Sequence, residues 1–370
     1  MEIDRDALLC ALREVATVVS GRTTIPILAN VLMECAEGRL SITATDLDLQ
    51  ATTTVEAAGE LSITLPSDKM LAAVQSLRPG RIALEPVANR PGSIRMKQGR
   101  GQRTLAGLPA SDFPLRAALV KATAFTISSN ALARMLDTTH AAQSTEETRF
   151  YLNGVLFHAF EGELHAAATD GHRLIRCKAD LPDGAVTMPD SIVGSKAVKL
   201  LRTLLGKHDG PVHVEVTARA ITFAIGRTVV NASLIDGQFP DYRRVIPQPG
   251  VSILKAPRAD LVEGAAGVIA VIMGDGKEKT RRIRVDLKNG TGCEMSADDV
   301  TGASASELVA GSLTGREQVF GVNGKYFAAA LGIFAEAAEI EISIDDPSAP
   351  VRITADSDPD LIAVVMPMRI

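Results

Sequence analysis

NVLMECAEGRLSITATD, residues 30–46, is matched by GVLFHAFEGELHAAATD, residues 154–170, and this pair of similar stretches is the strongest indication of the fold. The two have the same length, carry a Glu-Gly pair at the same place, and both end in Ala-Thr-Asp. Apolar residues flank the Glu-Gly pair on both sides, a pattern typical of two antiparallel strands joined by a tight turn. We therefore predict a β-hairpin at each place.

A third and weaker copy, IRVDLKNGTGCEMSADD at residues 283–299, keeps the order of strand, turn and strand. The three copies follow one another at a period of about 125 residues, which indicates an internal repeat. A chain of 370 residues is also longer than one ordinary core requires. We therefore predict three domains, at residues 1–120, 121–248 and 249–370.

Each repeat is predicted to contain two helices. A first amphipathic helix lies near the start of each repeat, at residues 5–18, 129–141 and 257–272. A second follows each hairpin after residues that favour a helix start, and begins near Lys69, Lys196 and Lys325. Segments with alternating apolar residues, such as EIEISI at 339–344, are typical of strands with one buried face. The fold class is therefore α+β, with three repeated sheet-rich two-helix domains.

The composition is that of a folded globular protein, with 46% hydrophobic and 22% charged residues. No apolar run reaches the roughly 18 to 20 residues that cross a bilayer, and the N-terminus MEIDRDALLCALREV mixes acids and bases. We expect a cytoplasmic protein with no membrane partner. The formal net charge of −5 does not by itself favour nucleic-acid binding, but it leaves open where the charges lie.

The cysteines lie far apart in the sequence, at Cys10, Cys35, Cys177 and Cys293. They show no C-x-x-C spacing and have no neighbouring pair of histidines, so neither a disulfide framework nor a zinc site is indicated. We expect reduced thiols, no metal and no cofactor.

Three further tracts are ATDGHRL at residues 168–174, QFPDYRRVIP at 238–247 and VVMPMRI at 364–370. Together with the three repeats, they closely resemble the bacterial DNA sliding clamp family, the beta subunit of DNA polymerase III, over essentially the whole chain. The resemblance implies the DNA clamp fold, in which two chains form a six-domain ring with helices lining the central hole. It also implies a non-enzymatic processivity factor that encircles double-stranded DNA without sequence specificity.

The resemblance implies a pocket for partner peptides as well. The expected partners are the DNA polymerase III alpha subunit, the clamp loader, and other DNA polymerases and repair proteins that carry clamp-binding motifs. The residues that match the family pocket are Leu152, Thr169, Gly171, His172, Arg173, Leu174, Pro240, Arg244, Val245, Ile246, Val364, Val365, Met366, Pro367, Met368 and Arg369. The terminal Ile370 stands where many members have Leu, a change that keeps the residue apolar.

The residue types of these tracts suit a peptide site. Met, Val, Leu and Pro offer an adaptable apolar surface, and arginines can hold ligand carbonyls or carboxylates at its edge. Two plainer interpretations remain open from the residues alone. Met366 and Met368 fit the core of a last strand, and His172 fits a hydrogen-bonded structural histidine.

DNA contacts are expected from basic residues on the second helices. Lys196, Lys199 and Arg202 fall on one helical face, opposite an apolar face that contains several leucines. An exposed Lys-rich face unconnected with DNA is the alternative. Further candidates are Arg22, Lys69, Arg134, Arg149, Tyr151 and Lys325. Glu146 stands where clamps often have Gln, which would weaken any phosphate contact there.

Two rival functions fit the residues less well. A hydrolase that uses Asp170 and His172 as an acid/base pair is disfavoured, because no G-x-S-x-G, P-loop, H-E-x-x-H or dinucleotide motif occurs. We also expect these two residues to point to opposite faces of a strand. A peptide-binding scaffold without DNA would lack the basic helix face. As a ring the protein should be a homodimer, with candidate interface regions at residues 103–108 and 272–279.

Overall fold

The computed structural model describes residues 1–19, 23–271, 282–298 and 302–370. Its α-helices are α1 (Arg5–Ala16), α2 (Ser67–Gln75), α3 (Ser129–Thr139), α4 (Ser195–Leu205), α5 (Arg258–Val271) and α6 (Gly324–Gly332). No helix in these ranges is long and apolar enough to span a lipid bilayer.

The strands of the N-terminal third are β1 (Glu2–Asp4), β2 (Asn30–Ala36), β3 (Arg39–Thr45), β4 (Leu49–Glu56), β5 (Leu61–Pro66), β6 (Arg81–Pro86), β7 (Ser93–Gln98) and β8 (Gly101–Ala106). Those of the middle third are β9 (Thr123–Ser128), β10 (Gly154–Phe160), β11 (Glu163–Thr169), β12 (Arg173–Asp180), β13 (Ser191–Gly194), β14 (Pro211–Val216), β15 (Ala220–Ile225) and β16 (Thr228–Ser233). Those of the last third are β17 (Ser252–Pro257), β18 (Arg282–Lys288), β19 (Gly292–Asp298), β20 (Ser304–Val309), β21 (Ser312–Thr314), β22 (Gln318–Asn323), β23 (Glu339–Ile344), β24 (Val351–Ala355), β25 (Asp358–Val365) and β26 (Pro367–Met368).

The two predicted hairpins are confirmed, and their turns are built alike. Glu37 and Gly38 join β2 to β3 with φ values of +52° and +79°, and Glu161 and Gly162 join β10 to β11 with the same two values. A two-residue turn with positive φ at both positions matches the twist of antiparallel strands. The matching sequences therefore fold into matching structures.

The predicted helices are also confirmed, with ends that differ by a few residues. Asp4 caps the start of α1: its carboxylate accepts hydrogen bonds from the backbone N–H groups of Asp6 (2.9 Å) and Ala7 (3.0 Å). Asn323 caps the start of α6 in the same way. In α4 the leucines and Val198 are buried while Lys199 is exposed, as the helical periodicity predicts.

The chain divides into two compact units, and unit 1 comprises residues Met1–Ala133 and Pro182–Ile235. One of its sheets has the order β5-β2-β3-β4-β16-β15-β14-β9, and a second has the order β1-β6-β7-β8. The long sheet continues from the first repeat into the second because β4 pairs with β16, with Thr53 opposite Thr228.

Unit 2 comprises residues Arg134–Leu181 and Asp236–Ile370. Its strands β10-β11-β12-β25-β24-β23-β17-β21 are hydrogen-bonded in that order, and β20-β19-β18-β22-β26 form a second sheet. β12 of the second repeat pairs with β25 of the third, with Leu174 opposite Val364. The strands of the middle repeat thus belong partly to unit 1 and partly to unit 2, so the compact units do not coincide with the sequence repeats.

Candidate functional site

Unit 2 contains a largely apolar cavity of about 360 Å³. Its walls come from the 3₁₀ turn at Glu147–Leu152, the turn between β11 and β12, the 3₁₀ turn at Tyr242–Val245, and the end of β25. The lining residues are Arg149, Tyr151, Leu152, Thr169, Gly171, Arg173, Leu174, Pro240, Tyr242, Val245, Val364 and Met366.

The first wall is a turn held by its own side chains. The Asp170 carboxylate accepts hydrogen bonds from the backbone N–H groups of His172 (2.9 Å) and Arg173 (3.0 Å), and from Nε of Arg173 at 3.1 Å. The Thr169 hydroxyl donates to the carbonyl oxygen of Arg173 at 2.7 Å. The Arg173 guanidinium also lies over the Tyr326 ring, 4.2 Å from its centre. These contacts fix Arg173 at the edge of the cavity.

Two features favour glycine at position 171 of this turn. Its φ of +87° is a left-handed conformation that side chains disfavour. A Cβ atom added there would lie 2.7 Å from Nη1 of Arg149, so the Arg149 side chain would have to move. The absence of a side chain at residue 171 therefore lets the first wall and the Arg149 side chain approach each other.

The second wall is the segment that contains Pro240 and Val245. Tyr242 is the buried residue of its 3₁₀ turn, with 3% of its surface exposed. Arg243 and Arg244 are exposed and each forms an ion pair with Asp241, at 2.9 and 3.0 Å. The ring of Tyr242 thus anchors a wall whose other side chains face solvent.

The third wall is the end of β25. Val364 lies opposite Leu174 of β12, and the backbone N–H of Met366 donates to the carbonyl oxygen of His172 at 2.8 Å. The chain then turns into β26, where Pro367 and Met368 pair with β22. Met366 therefore lines the cavity, whereas Met368 completes a sheet edge.

The structure brings together nine of the sixteen residues predicted for a partner pocket, namely Leu152, Thr169, Gly171, Arg173, Leu174, Pro240, Val245, Val364 and Met366. The other seven do not line the cavity. His172, Arg244 and Arg369 are exposed, Val365 is fully buried, Ile246 is half-buried, and Pro367 and Met368 are half-buried in β26.

The prediction that Asp170 and His172 point to opposite faces of a strand was wrong on two counts. Residues two apart on a strand share one face, and both residues lie in the turn between β11 and β12. Their spacing there does not make an acid/base pair either, because the Asp170 carboxylate is occupied by backbone N–H groups and Arg173. The carboxylate therefore serves to build the turn.

Two residues predicted to approach DNA also line the cavity. Arg149 and Tyr151 both belong to its wall, and Nε of Arg149 donates to the Glu146 carboxylate at 2.8 Å. This hydrogen bond is the main cause that raises the pKa of Arg149. Tyr242 was missed, although it lies inside the quoted tract QFPDYRRVIP; an aromatic residue among exposed charges was the available signal.

The other basic residues predicted to contact DNA differ in exposure and in the ion pairs that they form. In unit 1, Lys69 and Lys199 are exposed on α2 and α4, and Arg202 is half-buried. Lys196 forms an ion pair with Asp46 and donates to the carbonyl oxygen of Val18 at 2.8 Å. In unit 2, Lys325 is exposed on α6, and Arg134 forms an ion pair with Asp358. Arg22 lies outside the described residues.

In the described part of the chain, no three His, Cys, Asp or Glu side chains are grouped closely enough to bind a metal ion. The cysteines are free thiols; Cys10 is exposed and the other three are buried. Burial raises the pKa of the Cys293 thiol to about 12, so this thiol stays protonated.

Models of three known domain families match nearly the whole chain. Residues 1–117, 126–241 and 243–369 match the models for the N-terminal, central and C-terminal domains of the DNA polymerase III beta subunit. The beta sliding clamp of Caulobacter vibrioides is 33% identical over 378 residues, covering all of both chains. That of Escherichia coli K12 is 30% identical over 376 residues, covering 100% of this chain and 99% of the other.

Solved structures give the same result. A sliding clamp from Bartonella birtlesii bound to griselimycin superposes with a TM-score of 0.94 at 31% identity, covering 100% of this chain and 99% of that one. A clamp from Pseudomonas aeruginosa bound to griselimycin superposes with a TM-score of 0.92 at 32% identity and the same coverage.

Proposed function

Because this chain belongs to the DNA polymerase III beta subunit family, the beta sliding clamps, we propose that the cavity of unit 2 binds short peptide motifs of partner proteins. The family places the chain among the processivity factors of DNA replication, which are not enzymes. As a member of this family, the chain has DNA and the DNA polymerase as partners.

The shape and lining of the cavity carry the peptide proposal. A volume of about 360 Å³ lies at the lower end of the range of ligand pockets and suits a few apolar side chains. Leu152, Leu174 and Val364 form a buried apolar floor, and the flexible Met366 side chain can repack around different ligands. Arg149 and Arg173 at the wall offer N–H donors to the carbonyl groups of a peptide backbone.

One cavity serves several partners in this proposal. The DNA polymerase III alpha subunit, the clamp loader, and other DNA polymerases and repair proteins each insert a short apolar motif. Two ligands cannot fill about 360 Å³ at once, so these partners compete on one chain.

A charge placed on the exposed part of the wall tests the peptide site. Val245 is 45% exposed, so Val245→Lys changes the cavity without entering a core. We expect a fluorescent peptide from the polymerase of the same organism to bind at least tenfold more weakly, because the ammonium group must be desolvated or must block the cavity. Fluorescence anisotropy measures the affinity.

Val186 supplies the matched control. It is also a valine on a 3₁₀ turn, is 72% exposed, and does not line the cavity. Val186→Lys should bind the peptide like the wild type, and both variants should keep the wild-type melting temperature. Equal peptide affinity for Val245→Lys and the wild type would reject the cavity as the peptide site.

We further propose that two copies close into a ring of six domains, at residues 1–120, 121–248 and 249–370 of each chain, around double-stranded DNA in the cytoplasm. β8 lies at the edge of its described sheet in unit 1, and β20 at the edge of its described sheet in unit 2. Such edges have unpaired backbone groups, which suits pairing between copies. Residues 103–108 overlap β8, while the other predicted region, 272–279, lies outside the described residues.

Basic residues of the second helices would contact the phosphates. Lys69, Lys199 and Lys325 are exposed on α2, α4 and α6, one in each repeat. Contacts between lysine and phosphate carry no sequence information and weaken with salt, as a protein that moves along DNA requires. The remaining DNA candidates of the proposal are Arg22, Arg134, Arg149, Tyr151, Lys196 and Arg202.

Topology separates a ring from an ordinary DNA-binding protein. After loading, the protein should stay on closed circular DNA through a high-salt wash and leave the same DNA once it is cut. Sedimentation of the free protein should give twice the mass of one chain. Equal retention on circular and linear DNA would contradict encirclement.

A further inference from the structure

A pair of buried histidines holds the hydroxyl group of Tyr242. His158 on β10 and His165 on β11 lie opposite each other in the strand register, and each is 7% exposed. The Tyr242 hydroxyl oxygen lies 2.9 Å from Nε2 of His158 and 3.2 Å from Nδ1 of His165. Both distances fit hydrogen bonds, so one oxygen bridges two strands.

One assignment of donors and acceptors is favoured in the two hydrogen bonds of this cluster. A tyrosine hydroxyl donates one hydrogen bond and can accept another, so one histidine must donate to it and the other must accept from it. Nε2 of His165 makes no hydrogen bond to the described residues, but the negative Glu163 carboxylate lies 3.4 Å away and electrostatically favours a proton on that nitrogen. Nδ1 of His165 then accepts from Tyr242, and Nε2 of His158 donates to Tyr242.

Burial, assisted by nearby positive charges, keeps His165 neutral at neutral pH, which this assignment requires. Burial is the main cause that lowers the pKa of His165 to about 4, and the charges of His158 and Arg176 act in the same direction. Glu163 opposes the shift, but it is also paired with Lys178 at 2.7 Å.

Other charged groups lie close to the cluster. Lys178 also faces Asp360 of β25, at 3.7 Å. The Arg243 guanidinium lies over the Phe160 ring, 4.4 Å from its centre, and this ring packs edge-on against His165. Residues of β10, β11, β12, β25 and the Tyr242 turn therefore enclose the cluster.

Tyr242 connects this cluster to the cavity. It lines the cavity and is the buried residue of the Tyr242–Val245 turn, which also supplies Val245 to the wall. No side chain caps the start of this turn. The position of the turn therefore depends strongly on where the Tyr242 side chain is held.

We infer that His158 and His165 are positioning residues for peptide binding: they fix Tyr242, and through it the cavity wall, although neither histidine lines the cavity. The inference rests on the proposed peptide site. A loose wall has to be ordered when the peptide binds, and this cost lowers the affinity. A wall fixed in advance avoids that cost.

Removing the hydroxyl group alone is the first test. Tyr242→Phe keeps the ring that lines the cavity and removes both hydrogen bonds. We expect the fluorescent polymerase peptide to bind about twofold to tenfold more weakly, the range that corresponds to the loss of a buried hydrogen bond. Circular dichroism and thermal melting should show that the variant is folded.

A mutant cycle tests whether the histidines act through that hydroxyl. The double variant His158→Leu/His165→Leu should weaken peptide binding about as much as Tyr242→Phe does. Adding Tyr242→Phe to it should cause little further loss, because residues that act through one contact are not additive. Additive losses, or wild-type affinity in the double variant, would overturn the inference.

Conservative replacements separate positioning from packing. Gln at position 158 can place an N–H near Nε2, and Asn at 165 can place an oxygen near Nδ1. His158→Gln and His165→Asn should therefore recover most of the affinity that the leucine variants lose. If affinity instead follows melting temperature across all variants, the histidines act only on stability and the inference is rejected.

The Val245→Lys variant distinguishes the two proposals. If it binds the peptide normally, the proposed peptide site itself fails. If it loses affinity while Tyr242→Phe does not, the peptide site stands and the positioning role of the histidines fails.

Discussion

Lowering the pH from 7 to 5 should destabilise the β10–β11 hairpin through His165. Its pKa of about 4 in the folded protein lies below the ordinary 6.5, so the open state binds more protons between these values. The stability of the hairpin that depends on neutral His165 is therefore fully present above pH 6.5 and is lost as the pH falls towards 4. Integrated from pH 7 to pH 5, the two pKa values give a loss of about 2 kcal/mol.

Amide hydrogen exchange measures this loss where it occurs. Protection factors corrected for the intrinsic exchange rate report the free energy of local opening. In β10 and β11 they should fall about thirtyfold from pH 7 to pH 5, the factor that corresponds to about 2 kcal/mol. His165→Asn removes the titrating group and should lose much less protection over the same interval. An equal loss in the wild type and His165→Asn would refute the assignment to His165.

Three further changes test other parts of the structure. Gly171→Ala should cost about 1 kcal/mol of stability because of its positive φ, and should weaken peptide binding measured by anisotropy because the Arg149 side chain must move; unchanged affinity would contradict this. Lys199→Glu with Lys325→Glu should shorten residence on circular DNA and flatten its salt dependence by about one unit of slope for each lost phosphate contact. A single charge reversal away from the helices, Arg219→Glu on the exposed turn between β14 and β15, should leave residence unchanged, and a loss half as large as that of the double variant would remove the helix lysines from the DNA surface. Peptides from the polymerase and the clamp loader should displace each other completely in a competition titration, whereas simultaneous binding to one chain would show a second site.

The repeated elements were predictable because their signals are local. The Glu-Gly turns at 37–38 and 161–162 lie within single hairpins, and the buried face of α4 follows from helical periodicity. The joining of the sheets was not predictable in this way. β4 and β16 pair although they lie far apart in the chain, and no short pattern in either strand identifies its partner.

The cavity was predicted in part. The tracts that form its three main walls were found by family resemblance, and nine of their residues line it. Tyr242 was missed because it lies among exposed charged residues, and the histidines that hold its hydroxyl lie on other elements. Arg149 was predicted by resemblance to approach DNA; its place at the cavity wall, where the 3₁₀ turn that ends at Leu152 brings it, was not predicted.

Locating a bound peptide on the protein shows whether the cavity of unit 2 is the peptide site. A polymerase peptide that carries a diazirine on its apolar side chains, when irradiated on the protein, should attach to the residues that line the cavity. Peptide mapping by mass spectrometry should place the attachment at Leu152, Leu174, Val245 or Met366. An excess of unmodified peptide should abolish it. Attachment that saturates and is competed, but that lies wholly outside the cavity walls, would contradict the proposed site.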